Sequence, residues 1–450
     1  MGERTRELFI LILGDIVVFN VALWLTLLVR YVEIPSAELL ASHVPPFFMF
    51  SAVWLLMFFI LGLYDKHTNL LKRLLVNRIL FAQVINVLVA AALFFVIPFG
   101  IAPKTNLVIY LFISVGLMTA WRILLVPKLS AKQQHKAILI ADGAAAIELA
   151  DEINNNDRYN YYFVRIIDAK TLEGTTDFEE KLLALIEREK VGLIVADSRS
   201  EAIRAFLPVL FDLSFLHFAF TFLDFHRLYE DTFDRVPLED IQYDWFIANI
   251  SQSKSALYVG VKRLIDITGA LVLLLPSLLV FPFVAIAIKL EDKGALFYTT
   301  TRVGQYNRPI KIRKLRTKNG ADTGNKALKS DLVDTKVGTF FRKTRIDELP
   351  QLLNVLRGDL SFIGPRPEMP ALAAVYAKEV PYYNARHFLK PGLSGWAQIN
   401  NFDVPRGGID VERTKMKLSY DLFYLERRSL ALDIHITLKT IATIIMRTGT

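Results

Sequence analysis

Four long apolar runs occupy the first third of the chain, at residues 8–29, 46–63, 79–99 and 106–125. Each approaches the ~20 apolar residues a helix needs to cross a bilayer. The backbone's polar groups must then be satisfied inside each segment, so these runs read as a four-helix transmembrane bundle over 1–130. The first run is too long for a typical signal peptide and lacks its small-residue cleavage site. Asp15 and Asn20 lie within it. They read either as a polar transport path or as helix-packing contacts. Lys/Arg placement sets orientation. Arg4 and Arg6 precede the first run, Lys66, Lys72, Arg73 and Arg78 separate the second from the third, and Arg122, Lys128, Lys132 and Lys136 mark the end of the fourth. The first loop carries Glu33 and Glu38 instead. Both ends of the bundle, and whatever follows it, are therefore expected on the cytoplasmic side of the membrane.

Composition agrees. Across 450 residues the mean hydropathy is +0.35, and apolar residues make up 53%. The absence of cysteine excludes disulfides, thiolate zinc sites and cysteine nucleophiles. Seven scattered histidines show no metal-binding pair. The formal charge of +8 fits nucleic acid, an anionic membrane face or a phosphorylated substrate, and the apolar content favours the last two over nucleic acid.

From Lys136 the pattern changes to strand–helix alternation. Strands are expected at 137–141, 164–167, 191–196 and 218–223, with amphipathic helices at 144–153 and 178–189. This predicts a small Rossmann-like α/β domain over 136–227 and a connector over 228–257. The first turn reads Asp142-Gly143-Ala144-Ala145-Ala146-Ile147, one glycine where a dinucleotide fingerprint has three. A packing, regulatory or dimer-forming role is the better reading, and a homodimer through the N-terminal regions is one assembly it allows.

A fifth apolar run follows Lys262 and Arg263 and ends near Ile288. Residues 289–318 then hold nine Lys/Arg against Glu291 and Asp292. Both flanks claim the same side of the membrane. Pro276 removes a helical hydrogen bond and Ser277 can satisfy a freed carbonyl, so the segment 262–290 is expected to form a re-entrant helix–break–helix among the membrane lipids. A kinked fifth span is the alternative.

Near the C-terminus an acid pair, Asp347-Glu348, sits among basic residues. Pro350 suits a helix's first turn, Leu349, Leu352, Leu353 and Leu356 form one stripe, and Gly358 can cap the end. A helix N-terminus and nearby arginines favour ionised carboxylates, able to act as nucleophile or magnesium ligand. Charge complementation of the helix end is the plainer reading of the pair alone. Three basic elements weigh against it. The run 311–317 reads as a strand with one cationic face. Gly364-Pro365-Arg366-Pro367 holds an arginine in a stiff turn, and Arg386, His387 and Lys390 form a further basic turn. Together they suit a phosphorylated substrate, magnesium and a lipid acceptor.

At this point the chain resembles the bacterial sugar transferase family, the monotopic polyprenyl-phosphate hexose-1-phosphate transferases. The likeness rests on KRLIDITGALVLLLPS, TRVG, IKIRKLRT, RIDELPQLLNVLRGDLSFIGPRPE, RHFLKPGLSGWAQIN and SYDLFYLERRSLALDIHITLKTI, in that order across 262–441. It implies an α/β catalytic domain over 258–450, on the cytoplasmic face of a bacterial inner membrane. It also implies transfer of a sugar 1-phosphate from a UDP-sugar to undecaprenyl phosphate, releasing UMP, at the first membrane step of exopolysaccharide, capsule or O-antigen synthesis. By resemblance Asp347 is the nucleophile that forms a covalent phosphosugar, Glu348 serves catalysis and Mg2+, and Arg366 contacts phosphate. Lys314, Arg316, Arg342 and Arg386 fall on further phosphate-contact positions. Arg345, Thr300, Lys318 and Val333 depart from the family's usual residues. The competing readings are a membrane-anchored nicotinamide-dependent epimerase or dehydratase of nucleotide sugars, for which the glycine fingerprint is missing, and a non-enzymatic glycan-assembly scaffold, which would tolerate Asp347→Asn.

Overall fold

The computed structural model describes the chain except residues 1–2, 65–71, 97–103, 127–134, 157–158, 160, 173–177, 214–219, 251–255, 292–293, 320–332, 401–408 and 447–450. The chain divides into two compact units, residues 1–132 and 133–450.

The first unit is helical: α1 (Glu3–Tyr31), α2 (Ala37–Ile60), α3 (Lys72–Val96) and α4 (Lys104–Ala120). Three of them are long and apolar enough to cross a membrane, while α3 carries a shorter apolar stretch, Arg78–Phe94. Helix α2 begins earlier than the apolar run because Ser36 caps it, its hydroxyl accepting from Leu39 N at 3.2 Å. Pro45 and Pro46 therefore lie inside the helix. Asp15 makes a packing contact. Its carboxylate accepts from Tyr64 Oη at 2.7 Å and Trp121 Nε1 at 3.1 Å, and it pairs with Arg122, whose Nη1 reaches Leu63 O at 2.9 Å. Asn20 is exposed and bonds Ile16 O one turn back.

The second unit opens with four parallel strands, β1 (His135–Ile140), β2 (Tyr161–Ile167), β3 (Leu193–Ala196) and β4 (Thr221–Asp224), in the order β2-β1-β3-β4. Helices α5 (Gly143–Asn154) and α6 (Phe178–Glu189) cover opposite faces, packing on alternate residues of β1: Leu139 toward α5, Ile138 and Ile140 toward α6. The α/β layer continues past residue 227. Helix α7 (Phe225–Phe233) buries Phe225, Leu228 and Tyr229 against the α5 side. The stretch read as connector thus supplies a core helix, followed by α8 (Tyr243–Ile250).

Helix α9 (Ala256–Glu291) has 36 residues and buries only Asp266, Ala270, Val284 and Ile288. It stays helical through Pro276 and Pro282, with no non-helical residue where the break is expected. Ser277 Oγ does donate to Leu273 O, at 2.5 Å, beside the bond that Pro276 cannot make.

The rest forms an α/β body around the hairpin β5 (Phe297–Val303) and β6 (Pro309–Leu315), which pair antiparallel. Helix α10 (Lys336–Lys343), a 3-10 turn (Ile346–Gln351), α11 (Leu352–Arg357), strand β7 (Ser361–Ile363), helix α12 (Pro370–Glu379), strand β8 (Gly392–Ser394), α13 (Val411–Arg427) and α14 (Leu430–Met446) complete it. Gly358 ends α11 with φ 91°, the left-handed cap expected of it. The sequence KRLID anchors α9 to this body. Arg263 donates to Val355 O and Leu356 O, both at 2.6 Å. Asp266 accepts from Ser361 Oγ and Phe362 N, both at 3.0 Å, and Lys262 pairs with Asp433 at 2.8 Å.

Candidate functional site

The acid pair does not lie on an α-helix. Arg345 takes a left-handed conformation, φ 58°, and starts the 3-10 turn that carries both acids ahead of α11. That turn packs along β6 and directs the two carboxylates differently. Lys314 of β6 donates to Glu348 Oε1 at 2.6 Å, Arg366 Nη2 stands 3.9 Å from the same oxygen, and Arg345 Nη1 stands 3.6 Å from Oε2. Burial works to raise the Glu348 pKa, but Lys314, Arg366 and Arg345 outweigh it and hold the group at about 2. Asp347 goes the other way. Burial first, then the charge of Glu348, push it up to about 6 against the pull of Lys314 and Arg345. Its Oδ1 is buried with no hydrogen-bond partner among the described residues. The expectation that the helix end and its arginines favour ionisation of both acids therefore holds for Glu348 and fails for Asp347.

Backbone packing presents Arg366. Gly364 N donates to Ser394 O at 2.8 Å and Gly392 N to Pro365 O at 3.0 Å, joining two loops back to back. A Cβ on Gly364 would meet Lys390 O at 2.3 Å, and one on Gly392 would meet Gly364 N at 2.2 Å, so this approach needs glycine at both positions.

The remaining predicted cations divide. Arg386 is 1% exposed and lies in the core rather than facing a substrate. It pairs with Asp421 at 2.7 Å and Glu368 at 3.6 Å, and donates to Tyr383 Oη at 3.0 Å and Arg366 O at 3.1 Å. Lys417 joins the same buried group through Glu368. Although burial opposes ionisation of Glu368, Lys417 and Arg386 hold it at about 2. The phosphate-contact expectation for Arg386 is corrected accordingly: it supports the Arg366 turn from behind. Arg342 is half-buried at the end of α10, its carbonyl accepting from Arg345 N at 3.2 Å. Arg316, past the end of β6, donates from Nε to Lys318 O at 3.1 Å and fills the space beside Gly294. The run 311–317 has cations on both faces, since Lys311 and Arg313 point outward while Lys314 points to the acids. Arg302, absent from the predicted set, stands close enough to Arg366 and Glu368 to feel both charges; burial and then Arg366 lower its proton affinity. Its place in the TRVG motif is the signal that could have found it.

For magnesium, the donor set fits in one respect. Asp347 offers an open carboxylate oxygen, whereas both oxygens of Glu348 face cations. Asp347 thus stands as a second carboxylate beside Glu348, the residue to which the resemblance assigns Mg2+. No cluster of three or more His, Asp or Glu exists among the described residues, so a cation here would complete its shell with substrate phosphate and water.

Fold and site define a membrane protein whose body holds a carboxylate pair in a cationic, phosphate-compatible setting. Residues 257–447 match the family described as bacterial sugar transferase. The chain is 40% identical over 201 residues to the UDP-N-acetylgalactosamine-undecaprenyl-phosphate N-acetylgalactosaminephosphotransferase of Aeromonas hydrophila, covering 43% of this chain and 46% of that protein. It is 39% identical over 189 residues to the UDP-glucose:undecaprenyl-phosphate glucose-1-phosphate transferase of Caulobacter vibrioides, covering 41% of this chain and 69% of the relative. A match of 29% over 361 residues, 76% of this chain and 66% of the relative, reaches beyond the catalytic body to the undecaprenyl-phosphate glucose phosphotransferase of Komagataeibacter xylinus. The chain belongs to the bacterial sugar transferase family.

Proposed function

We propose that this chain moves a sugar 1-phosphate from a UDP-sugar to undecaprenyl phosphate through a covalent aspartyl intermediate. The observation that carries the reading is the Asp347 Oδ1 atom, buried and unpartnered beside a Glu348 held by cations. With a pKa of about 6, Asp347 is mostly ionised at pH 7 yet poorly solvated, which suits a carboxylate nucleophile. Its oxygen attacks the phosphorus that bears the sugar, and the bond from that phosphorus to the nucleotide oxygen breaks, releasing UMP. An oxygen of undecaprenyl phosphate then attacks the same phosphorus, Asp347 departs as carboxylate, and the product is a lipid-pyrophosphate sugar. Lys314, Arg345 and Arg366 lower the repulsion between the acids and the incoming diphosphate. Glu348, with the donor's own phosphates, would hold Mg2+, which when bound would supply further charge neutralisation. One carboxylate serves both half-reactions, so the two bulky phosphates use the site in turn.

The printed names of the relatives carry two different sugars, N-acetylgalactosamine and glucose. The donor is therefore found by assay. The detergent-extracted protein is incubated with Mg2+, undecaprenyl phosphate and a panel of UDP-sugars, and UMP is measured. Release with one sugar supports the proposal, and none with any sugar would refute the donor class.

The same reading places α9 as a re-entrant element with the body on the cytoplasmic face, where UDP-sugars are made. Ala270 in its first half packs with Ile312, and Val284 and Ile288 in its second half pack with Leu315. Ile312 and Leu315 lie on opposite faces of β6, roughly 10 Å apart along the strand. A straight helix would separate Ala270 from Val284 by about 21 Å. Both halves returning to one hairpin supports a bend near the prolines. The domain plan proposed with it is a four-helix bundle, a Rossmann-like layer of packing or regulatory role, and a catalytic body.

A further inference from the structure

Four exposed cations frame the second half of α9. Lys311 and Arg313 extend from the outward face of β6, the face whose Leu315 packs on Val284 and Ile288. Lys336 and Lys343 lie on α10, whose Val337 and Phe341 join the same apolar cluster. None of these four side chains forms an ion pair among the described residues. The neighbouring carboxylate, Glu291, is occupied by backbone, accepting from Lys336 N at 2.6 Å and Val337 N at 2.9 Å. Between the two lysines of α10, one turn from Lys336, Phe340 is 55% exposed. The adjoining face of α9 exposes Phe283, Ile286 and Leu290. Unpaired cations, an exposed aromatic ring and a helix that shows apolar residues to its surroundings are thus continuous.

We infer that this collar docks on the anionic phospholipid headgroups of the bilayer that holds α9, with Lys311, Arg313, Lys336 and Lys343 meeting phosphate and Phe340 entering the acyl boundary. Charge complementarity selects the occupant. A leaflet rich in anionic lipid attracts each Lys or Arg near its surface, and aromatic side chains favour the headgroup boundary. A basic strip around the root of a membrane helix, with no acidic partner among the described residues, fits a lipid surface better than a protein partner, which would require matching carboxylates. The collar lies outside the acid site, so it sets how the body rests on the leaflet and leaves the chemistry to Asp347. The inference rests on the reading of α9 as membrane-embedded.

The chain has no cysteine, so single engineered cysteines can report position. Full-length protein with Thr299→Cys, on β5 opposite Arg313, carries a polarity-sensitive fluorophore in nanodiscs of phosphatidylcholine alone or with 30 mol% phosphatidylglycerol. The expected result is a blue shift in the anionic discs that disappears in K311Q/R313Q/K336Q/K343Q, and that free glycerol 3-phosphate does not reproduce. Equal emission in both discs, an undiminished shift in the quadruple variant, or a shift with the free phosphate would each overturn the inference. A second probe at Leu279→Cys, which is 76% exposed on α9, separates the two levels. Solvent-like emission there in every disc would remove the membrane reading itself, whereas buried emission there with no response at 299 removes only the collar.

Discussion

Asp347 and Glu348 are sequence neighbours with opposite proton affinities, and the difference comes from what surrounds them. Glu348 has three cations within 4 Å; Asp347 has an oxygen with no hydrogen-bond partner among the described residues. Replacing Asp347 with Asn keeps the shape and removes the nucleophile, and turnover should fall at least about a thousandfold. An UMP-release assay checks this. Arg386 makes a contrasting prediction. Arg386→Met would strand Asp421 and Glu368 in the core, and breaking a buried pair in this way costs about 3–5 kcal/mol. Thermal unfolding in detergent should show that loss, with the donor KM of the surviving folded enzyme little changed. A raised donor KM at unchanged stability would return Arg386 to the substrate. His387 gives a pH signature. Burial and then Arg386 lower its pKa to about 3, so it stays neutral in the fold. The unfolded chain takes up a proton near pH 6.5 and the folded chain only near 3. Stability from this group is complete above about pH 6.5 and declines as pH falls toward 3, by about 1.4 kcal/mol per unit. Unfolding temperatures measured from pH 7 to 4.5 should fall less steeply in His387→Gln than in the parent.

At the scale of elements, the loops 364–367 and 390–395 are joined so closely that glycine is required. Gly392→Ala would drive a methyl group against the Gly364 backbone, a strain of about 1–3 kcal/mol. It should lower the unfolding temperature and, because Arg366 sits on the displaced turn, reduce transfer as well. A variant with parent stability and activity would contradict this packing. These elements also mark what could be read in advance. The α/β strands were legible because buried parallel strands form short apolar runs between amphipathic helices, as at 137–141 and 191–196. The acid pair and the arginine turn stood out through residue type and spacing. The roles of Arg386, Lys417 and Asp421 did not, because their partners are distant in sequence: Arg386 meets Asp421 across 35 positions, and Lys417 meets Glu368 across 49. The raised pKa of Asp347 is hidden from the sequence for a related reason. Reasoning from a helix N-terminus assumed a solvated first turn, whereas the 3-10 turn against β6 buries that carboxyl.

The whole molecule comprises a membrane bundle in its first unit and, in its second, a parallel-sheet layer and a catalytic body anchored to α9. The topological prediction uses Leu257→Cys and Leu290→Cys, near the two ends of that helix. In sealed inverted membrane vesicles, both should react with an impermeant maleimide, and reaction at only one end would mean that α9 spans the bilayer. The central claim is that Asp347 takes up the phosphosugar before the lipid does. Mass spectrometry of protein quenched during reaction with its donor, in the absence of undecaprenyl phosphate, tests this most directly. The account predicts a sugar-phosphate adduct on the peptide containing Asp347, lost in Asp347→Asn and discharged when undecaprenyl phosphate is added. Full turnover with no such adduct, or with the amide in place, would contradict it.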